Sequence, residues 1–314
     1  MKHPAGACAI FKSVLVALLV LMSFNVQAAG LEVKQVTDNV YAIVGEMVQR
    51  SPENLGNNAT FGLIVTDAGA VLVDPGGTYK GAARLAAVIK TVTDKPVKIV
   101  INSGGQDHRW LGNGYFKEHG ARIIASSAAV EDHQDRANGQ LQGLEFLVGK
   151  EGVQGTEAVY ADETFDKSLS LDFGGIQIEL IATGGSHTPG DAVIWLPETR
   201  VAFTGDLVYL ERTLGIGEMS DFKNWIPAFE AMAALKPLHI VPGHGKPSTL
   251  ERAKADTYDY LVNLNNRISK VLENGGQIAE GTAVDQEAFK YLLNFDQLAR
   301  RNAQEVFQQL EFDF

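Results

Sequence analysis

The run Val97-Lys98-Ile99-Val100-Ile101 is almost wholly β-branched and stops at Asn102, where a glycine-rich polar loop begins. A strand of this composition has no face suited to water, so the chain must cover it on both sides. Upstream, Ala82, Leu85, Ala86 and Ile89 recur at i, i+3, i+4 and i+7, the single apolar stripe of a covering helix. Earlier still lie strand patterns at Val40 to Val44, Phe61 to Val65 and Ala70 to Asp74, the last two joined through an Asp67-Ala68-Gly69 turn. A short helix at Tyr115 to His119 and a strand from Arg122 to Ala125 complete a β-β-β-α-β-α-β half.

The second half has the same style without repeating the sequence. Ile176 to Ile181 alternates as a half-buried strand, and Ala192 to Leu196, Val201 to Thr204 and His239 to Val241 read as further strands. Helices are expected from about Phe222 to Leu235, along Leu261, Leu264, Ile268 and Leu272, and along Phe295, Leu298, Ala299, Val306 and Leu310. Interleaved strands and helices of this kind make a layered α/β protein. No linker or repeat divides the chain, so residues 29–314 are expected to form one domain.

The first 28 residues read as a signal peptide. Lys2 and Lys12 precede an apolar run from Val14 to Phe24 that is too short to span a bilayer, and Val26-Gln27-Ala28 is a small-residue cleavage pattern. The expected location is periplasmic or secreted, with no stable membrane anchor after cleavage. Cys8, the only cysteine, leaves with the leader, so the mature chain has neither disulfides nor thiolate metal ligands. Without Lys2 and Lys12, 25 basic residues face 38 acidic ones, a net charge of −13 against −11 for the whole chain. That balance disfavours nucleic acid and anionic membranes and leaves small-molecule substrates open.

Polar residues gather just past the strand ends, where a layered scaffold holds loops firmly yet leaves them open. Six histidines remain after cleavage, and His108, His187 and His244 all sit in glycine-rich turns, with Asp107 and Asp206 nearby. Imidazole and carboxylate are the usual ligands of zinc and related divalent ions, and adjacent glycine lets backbone bend close to an ion.

The chain resembles the metallo-β-lactamase fold superfamily from Val33 to about Ile268. The matching pieces are Val73-Asp74-Pro75-Gly76, Asn102-Ser103 with Leu111-Gly112-Asn113, Gly185-Ser186-His187-Thr188-Pro189-Gly190-Asp191, Phe203-Thr204-Gly205-Asp206 and Val241-Pro242-Gly243-His244-Gly245. The resemblance implies an αββα sandwich with a metal site at one sheet edge that activates water for hydrolysis.

One motif departs from the family pattern. Where relatives carry His-x-His-x-Asp-His, this chain reads Gly104-Gly105-Gln106-Asp107-His108-Arg109. In the ungapped register, Gly104 and Gln106 replace the first two histidines, His108 replaces the aspartate and Arg109 the last histidine. A register slipped by one residue instead puts Asp107 and His108 in the Asp-His roles, at the cost of an insertion before Gly112. Both use His108, Asp206 and His244. With His187 these make four ligands, enough for one ion, whereas two ions 3.5–4 Å apart need on the order of six donors. Zinc is the default, and three histidines with one aspartate also suit iron or manganese.

Further roles follow from the same comparison. Asp206, or Asp107, would hold the attacking water and take its proton. Arg109 would pair with Asp206 or bind a substrate carboxylate, Tyr209 would line the substrate pocket, and Asp74 would orient the ligand loop. Arg212 reads equally as a surface charge and as a contact for an anionic substrate. His133 reads as a surface helix residue, His119 and His239 as structural, and Trp110 as core or pocket wall. The expectation is a metal-dependent hydrolase of an ester, thioester or amide. The alternative is a binding or accessory protein that has lost its metal, with a periplasmic redox system as the partner its exported look-alikes suggest.

Overall fold

The computed structural model describes residues 27–28 and 30–313. The expected leader, with Cys8, lies outside these residues except for Gln27 and Ala28, which form the first strand. Eight strands lie side by side in chain order: β1 (Gln27–Ala28), β2 (Leu31–Thr37), β3 (Val40–Val44), β4 (Thr60–Thr66), β5 (Gly69–Val73), β6 (Val97–Ile101), β7 (Arg122–Ser126) and β8 (Glu163–Phe165). Pairing is antiparallel from β1 to β5 and parallel from β5 to β8. A second sheet holds β9 (Ser168–Phe173), β10 (Ile176–Ala182), β11 (Ala192–Leu196), β12 (Val201–Phe203) and β13 (His239–Val241), ordered β13-β12-β11-β10-β9. The helices are α1 (Tyr79–Ile89), α2 (Asp107–Trp110), α3 (Asn113–Glu118), α4 (Ser127–Gly152), α5 (Phe222–Ala234), α6 (Leu250–Ala253), α7 (Asp259–Glu273), α8 (Ile278–Gly281) and α9 (Phe295–Leu310).

The two sheets stack face to face. Ile64, Val71, Ile99 and Ile101 of the first meet Ile178, Leu180, Ile194 and Phe203 of the second. On the outer face of the first sheet, Leu63, Leu72 and Val100 pack under Leu85, Val88 and Phe116 of α1 and α3. The second sheet is covered by Trp225 and Phe229 of α5, Leu261 and Leu264 of α7, and Val306 and Phe307 of α9. In β6 the side chains thus alternate between two apolar layers, which is why that strand needs no polar face. The architecture is an αββα sandwich. Each fully buried Leu, Ile or Phe contributes about 1.5–3 kcal/mol of transfer energy, so these three layers hold the strand ends rigidly.

Three features escape a pattern search. β2 lies next to the sheet edge with mostly part-exposed residues that do not alternate, and β9, at the edge of the second sheet, alternates but buries no residue fully. α4 is 26 residues long, but only seven are buried, and these include the polar Asp132 and His133. Gly149 breaks its helical geometry. The last helix, α9, packs on its own core through Ala299, Ala303, Val306, Phe307 and Leu310 rather than standing free for a neighbour.

Candidate metal centre and pocket

Strands β5, β6, β10, β12 and β13 end at one edge of the sandwich, and each delivers a polar turn there. Asp74, just past β5, adopts φ 66, a left-handed conformation that is strained for a side chain other than glycine. The strain is sustained by its contacts. Oδ1 accepts the Ser103 amide at 2.7 Å, and Oδ2 accepts the Ser103 hydroxyl at 2.7 Å and Arg109 Nη1 at 2.8 Å. Gly205 (φ +49) lies so close to Ser103 that a Cβ there would collide with its Oγ. That close approach brings Asp206 alongside the Asn102–Arg109 loop.

Arg109 organises the floor of the site. It is fully buried, and all five of its N–H groups are engaged. Nε donates to Asp206 Oδ2 at 3.0 Å and Nη2 to Asp206 Oδ1 at 2.7 Å, while the remaining donors reach Asp74 Oδ2, the Thr60 carbonyl and the Gly243 carbonyl. The expected substrate contact at Arg109 is therefore corrected: no donor is left over and no surface is exposed. Burial works to raise the Asp206 carboxyl. The Arg109 charge and the neighbouring His108 and His244 outweigh it and hold Asp206 well below the usual carboxylate range.

Above this pair sit two imidazoles. His108 Nε2 is 3.4 Å from Asp206 Oδ2, without the alignment of a hydrogen bond, and His244 Nε2 is 3.2 Å from Asp206 Oδ1. One ligand atom from each of His108, Asp206 and His244 lies within 4.8 Å of the others. His108 Nε2 and His244 Nδ1 are buried without any hydrogen-bond partner. Leaving such atoms unpaired is costly, so the unfilled ring nitrogen of His108 beside the Asp206 carboxylate fits a cation. Burial holds His244 neutral, as a ligand must be. Each Asp206 oxygen accepts one bond from Arg109 and keeps a second lone pair. The donor set suits one ion, and the buried guanidinium opposes a second.

The remaining expected site residues fall around this group. His187 lies outside the 4.8 Å cluster, with Nδ1 bonded to the Gly215 carbonyl at 3.0 Å and Nε2 as its other ring nitrogen. Its turn is fixed by Asp191 Oδ2, which accepts Ser186 Oγ and the amides of His187 and Thr188. Asp107 is also outside the cluster. It pairs with Arg50, accepts the His108 amide at 2.7 Å and lies 3.1 Å from His108 Nδ1. Burial would raise its carboxyl, but Arg50 and His108 drive it far below the usual range. Both carboxylates are thus held ionised, Asp206 inside the donor group and Asp107 beside it. Arg50 Nη2 also lies 2.9 Å from His108 Nδ1, so Arg50 and Asp107 together flank the ring nitrogen that faces away from Asp206.

A cavity of about 310 Å³ opens over the group, lined by His108, His187, Tyr209 and His244 among others. Tyr209 stacks on His244 with ring centroids 4.7 Å apart, and burial together with the Asp206 charge keeps its phenol protonated. The loops after β3 and β12 supply much of the wall, through Gln49, Arg50 and Asn58 on one side and Arg212 with residues 215–220 on the other.

Two groups were beyond sequence reasoning. Arg50 reaches Asp107 across 57 residues of chain. His133 is corrected from surface to core: it is fully buried, its Nε2 lies 3.0 Å from the Gly104 carbonyl, and its ring stacks on Trp110 at 4.4 Å. Arg136 and Gln140, further along α4, donate to the Gly105 carbonyl. The spacing His133, Arg136, Gln140 was the available signal, because it lines one helix face. Trp110 is core, His119 bonds the Tyr115 carbonyl at the surface, and His239 is part-buried in β13.

The chain matches the model of the metallo-beta-lactamase superfamily over residues 56–244. It is 28% identical over 192 residues to a metallo-beta-lactamase type 2 of Bacillus sp. (strain 170), covering 59% of this chain and 66% of that protein. It is 26% identical over 227 residues to the type 2 enzyme of Bacillus cereus, covering 70% and 78%. Among solved structures, a metallo-beta-lactamase from Pontibacter korlensis superposes with TM-score 0.60 at 23% identity, over 74% of this chain and 99% of the other. The stereoselective inverting sec-alkylsulfatase Pisa1 from Pseudomonas sp. gives 0.65 at 22% identity, over 90% of this chain but 50% of that one. At these identities the structural likeness speaks for the fold.

Proposed function

The chain belongs to the metallo-beta-lactamase superfamily, and on that premise we propose that it is a hydrolase working with one divalent ion held by His108, Asp206 and His244. The observation that carries the reading is the convergence of these three donors within 4.8 Å, with buried ring nitrogens unpaired. We take the ion to be zinc, with iron and manganese as the other ions this donor set suits. A bound ion of this kind supplies Lewis acidity and lowers the pKa of water toward about 7. The substrate we propose is a small molecule with an ester, thioester or amide bond.

The chain's own residues divide the work as follows. Arg109 fixes both oxygens of Asp206, and Arg50 with Asp107 orients the His108 ring. Tyr209 offers a protonated hydroxyl at the pocket wall, a donor suited to an oxyanion. His187 stays neutral through burial, and its Nδ1 contact to Gly215 leaves Nε2 free to take a proton or join the donor set. The leader-like first 28 residues support a periplasmic or secreted setting. Turnover of 4-nitrophenyl acetate that is lost on chelation and restored by zinc is the expected result; undiminished turnover in the metal-free protein would overturn the proposal.

One observation favours a second reading, a binding or accessory protein. Gly104 and Gln106 offer no metal ligand, and their loop is closed against α4 by His133, Arg136 and Gln140. Under that reading neither 4-nitrophenyl esters nor nitrocefin are hydrolysed at any zinc concentration, and a periplasmic redox protein is the partner to seek.

A further inference from the structure

The pocket wall has a charge opposite to that of the protein. On a chain of net charge −11, the cavity is lined by Arg50, Arg136, Arg212 and Arg301, with Glu218 as the one carboxylate among its lining residues. Arg136 is neutralised by Asp132, and Arg50 gives Nη2 to Asp107 beside His108 Nδ1 and Nη1 to Gln49 Oε1. Among the described residues Arg212 and Arg301 have no carboxylate partner. The Nε atoms of Arg50 and Arg212 are buried and make no hydrogen bond. Among the described residues, five of the eight buried side-chain atoms without a partner belong to residues lining this one cavity: Arg50, Asn58, His108, Arg212 and His244.

Unpaired guanidinium donors and uncompensated like charge are costly when taken out of water. Burial pushes Arg212 down from its usual value; the Asp206 charge opposes this and the smaller effect of Arg50 adds to it. The fold nevertheless holds these groups in place. Asn302 on α9 accepts the Ile216 amide at 3.0 Å and donates to the Leu214 carbonyl at 2.8 Å, tying the helix to the loop after Arg212. Arg301 therefore stands beside that loop, and Asn294, just before α9, bonds the Met47 carbonyl near Arg50. Two of these three arginines, Arg50 and Arg301, lie outside the 56–244 span that matches the family model, so the cluster is built by this chain's own flanking segments.

We propose that Arg212, Arg50 and Arg301 form an anion subsite, and that the substrate carries a carboxylate or a sulfate- or phosphate-type group which docks there while its scissile bond faces His108 and His244. This deepens the hydrolase reading and rests on it for the word substrate, but anion binding itself does not need turnover. A planar guanidinium with free N–H donors matches such oxyanions, and a cleft of one sign concentrates them.

The test has two arms. Sodium sulfate and sodium acetate are titrated calorimetrically into the full chain at constant ionic strength. One of them should saturate a single site, sulfate preferred for a tetrahedral group and acetate for a carboxylate. Arg212→Gln and Arg301→Gln should each weaken that binding about 10-fold or more, as the loss of a charged hydrogen bond implies. Lys98→Gln, exposed on β6, should not change it. Arg301 is on the surface, so its variant keeps the test valid should Arg212→Gln fail to fold. The second arm compares mono-4-nitrophenyl succinate with 4-nitrophenyl pentanoate. The arginine variants should raise KM for the anionic ester alone and leave kcat unchanged. Absence of saturable anion binding, or equal weakening by Lys98→Gln, would overturn the subsite whether or not esters are cleaved. Arginine-dependent anion binding without hydrolysis of either ester would uphold the subsite and overturn the hydrolase reading.

Discussion

Arg109 and Asp206 form a two-point ion pair in the protein interior, Nε to Oδ2 at 3.0 Å and Nη2 to Oδ1 at 2.7 Å, with Asp74 bound to the same guanidinium from the other side. This triad ties the ends of β5, β6 and β12 together. It also explains how a chain with Gly104, Gln106 and Arg109 at the family's motif histidines keeps an ordered site. A fixed cation occupies the floor, and one carboxylate is aimed upward at two imidazoles.

Removing that cation should be expensive. Arg109→Ala leaves Asp206 and Asp74 buried without a partner, for which about 3–5 kcal/mol of lost stability is expected. Arg109→Lys keeps the charge but cannot make the paired contacts, so it should recover only part of the loss. Urea unfolding midpoints of the two variants measure this. Wild-type stability in both would contradict the central place given to the triad.

Restoring the family histidines should not restore a second metal. A Cβ on Gly104 would collide with Asp191 Oδ1, which Thr188 Oγ1 holds in place, and the Gly105 carbonyl is pinned by Arg136 and Gln140. The double variant Gly104→His with Gln106→His should lose about 1–3 kcal/mol through overpacking. It should bind no more zinc than wild type. A stable variant with two ions per chain would show that the loop is freer than its contacts imply.

His133 predicts a pH dependence. Burial holds it down to about 4 from an ordinary 6.5. The unfolded chain therefore takes up a proton near pH 6.5 that the folded chain refuses until about pH 4. The stabilisation is complete above 6.5 and drains away as pH falls toward 4, by about 3 kcal/mol in all. His133→Gln retains a donor for the Gly104 carbonyl and does not titrate. Its unfolding free energy should fall less steeply than that of wild type between pH 6.5 and 4. Parallel curves would mean that His133 is protonated in the folded protein.

Much of this was legible in the sequence because it is local. The β-branched run of β6, the stripe of α1 and the turns holding His187, Asp206 and His244 each announce themselves within a dozen residues. What could not be read depends on contacts across long stretches of chain. Arg109 has the same local sequence whether it meets a substrate or Asp206, and only the close approach at Gly205 decides. His133 sits in a polar stretch, Glu131-Asp132-His133-Gln134-Asp135, that is indistinguishable from a surface helix until α4 docks on Trp110. Arg50 and Asp107 are neighbours only because the loop after β3 folds over α2.

Metal stoichiometry after zinc loading and gel filtration, read by plasma mass spectrometry on wild type, His108→Ala and His244→Ala, tests the joint coordination most directly. The account predicts about one ion per wild-type chain and close to none in either variant. Two ions per chain, none in the wild type, or an undiminished ion in both variants would contradict it.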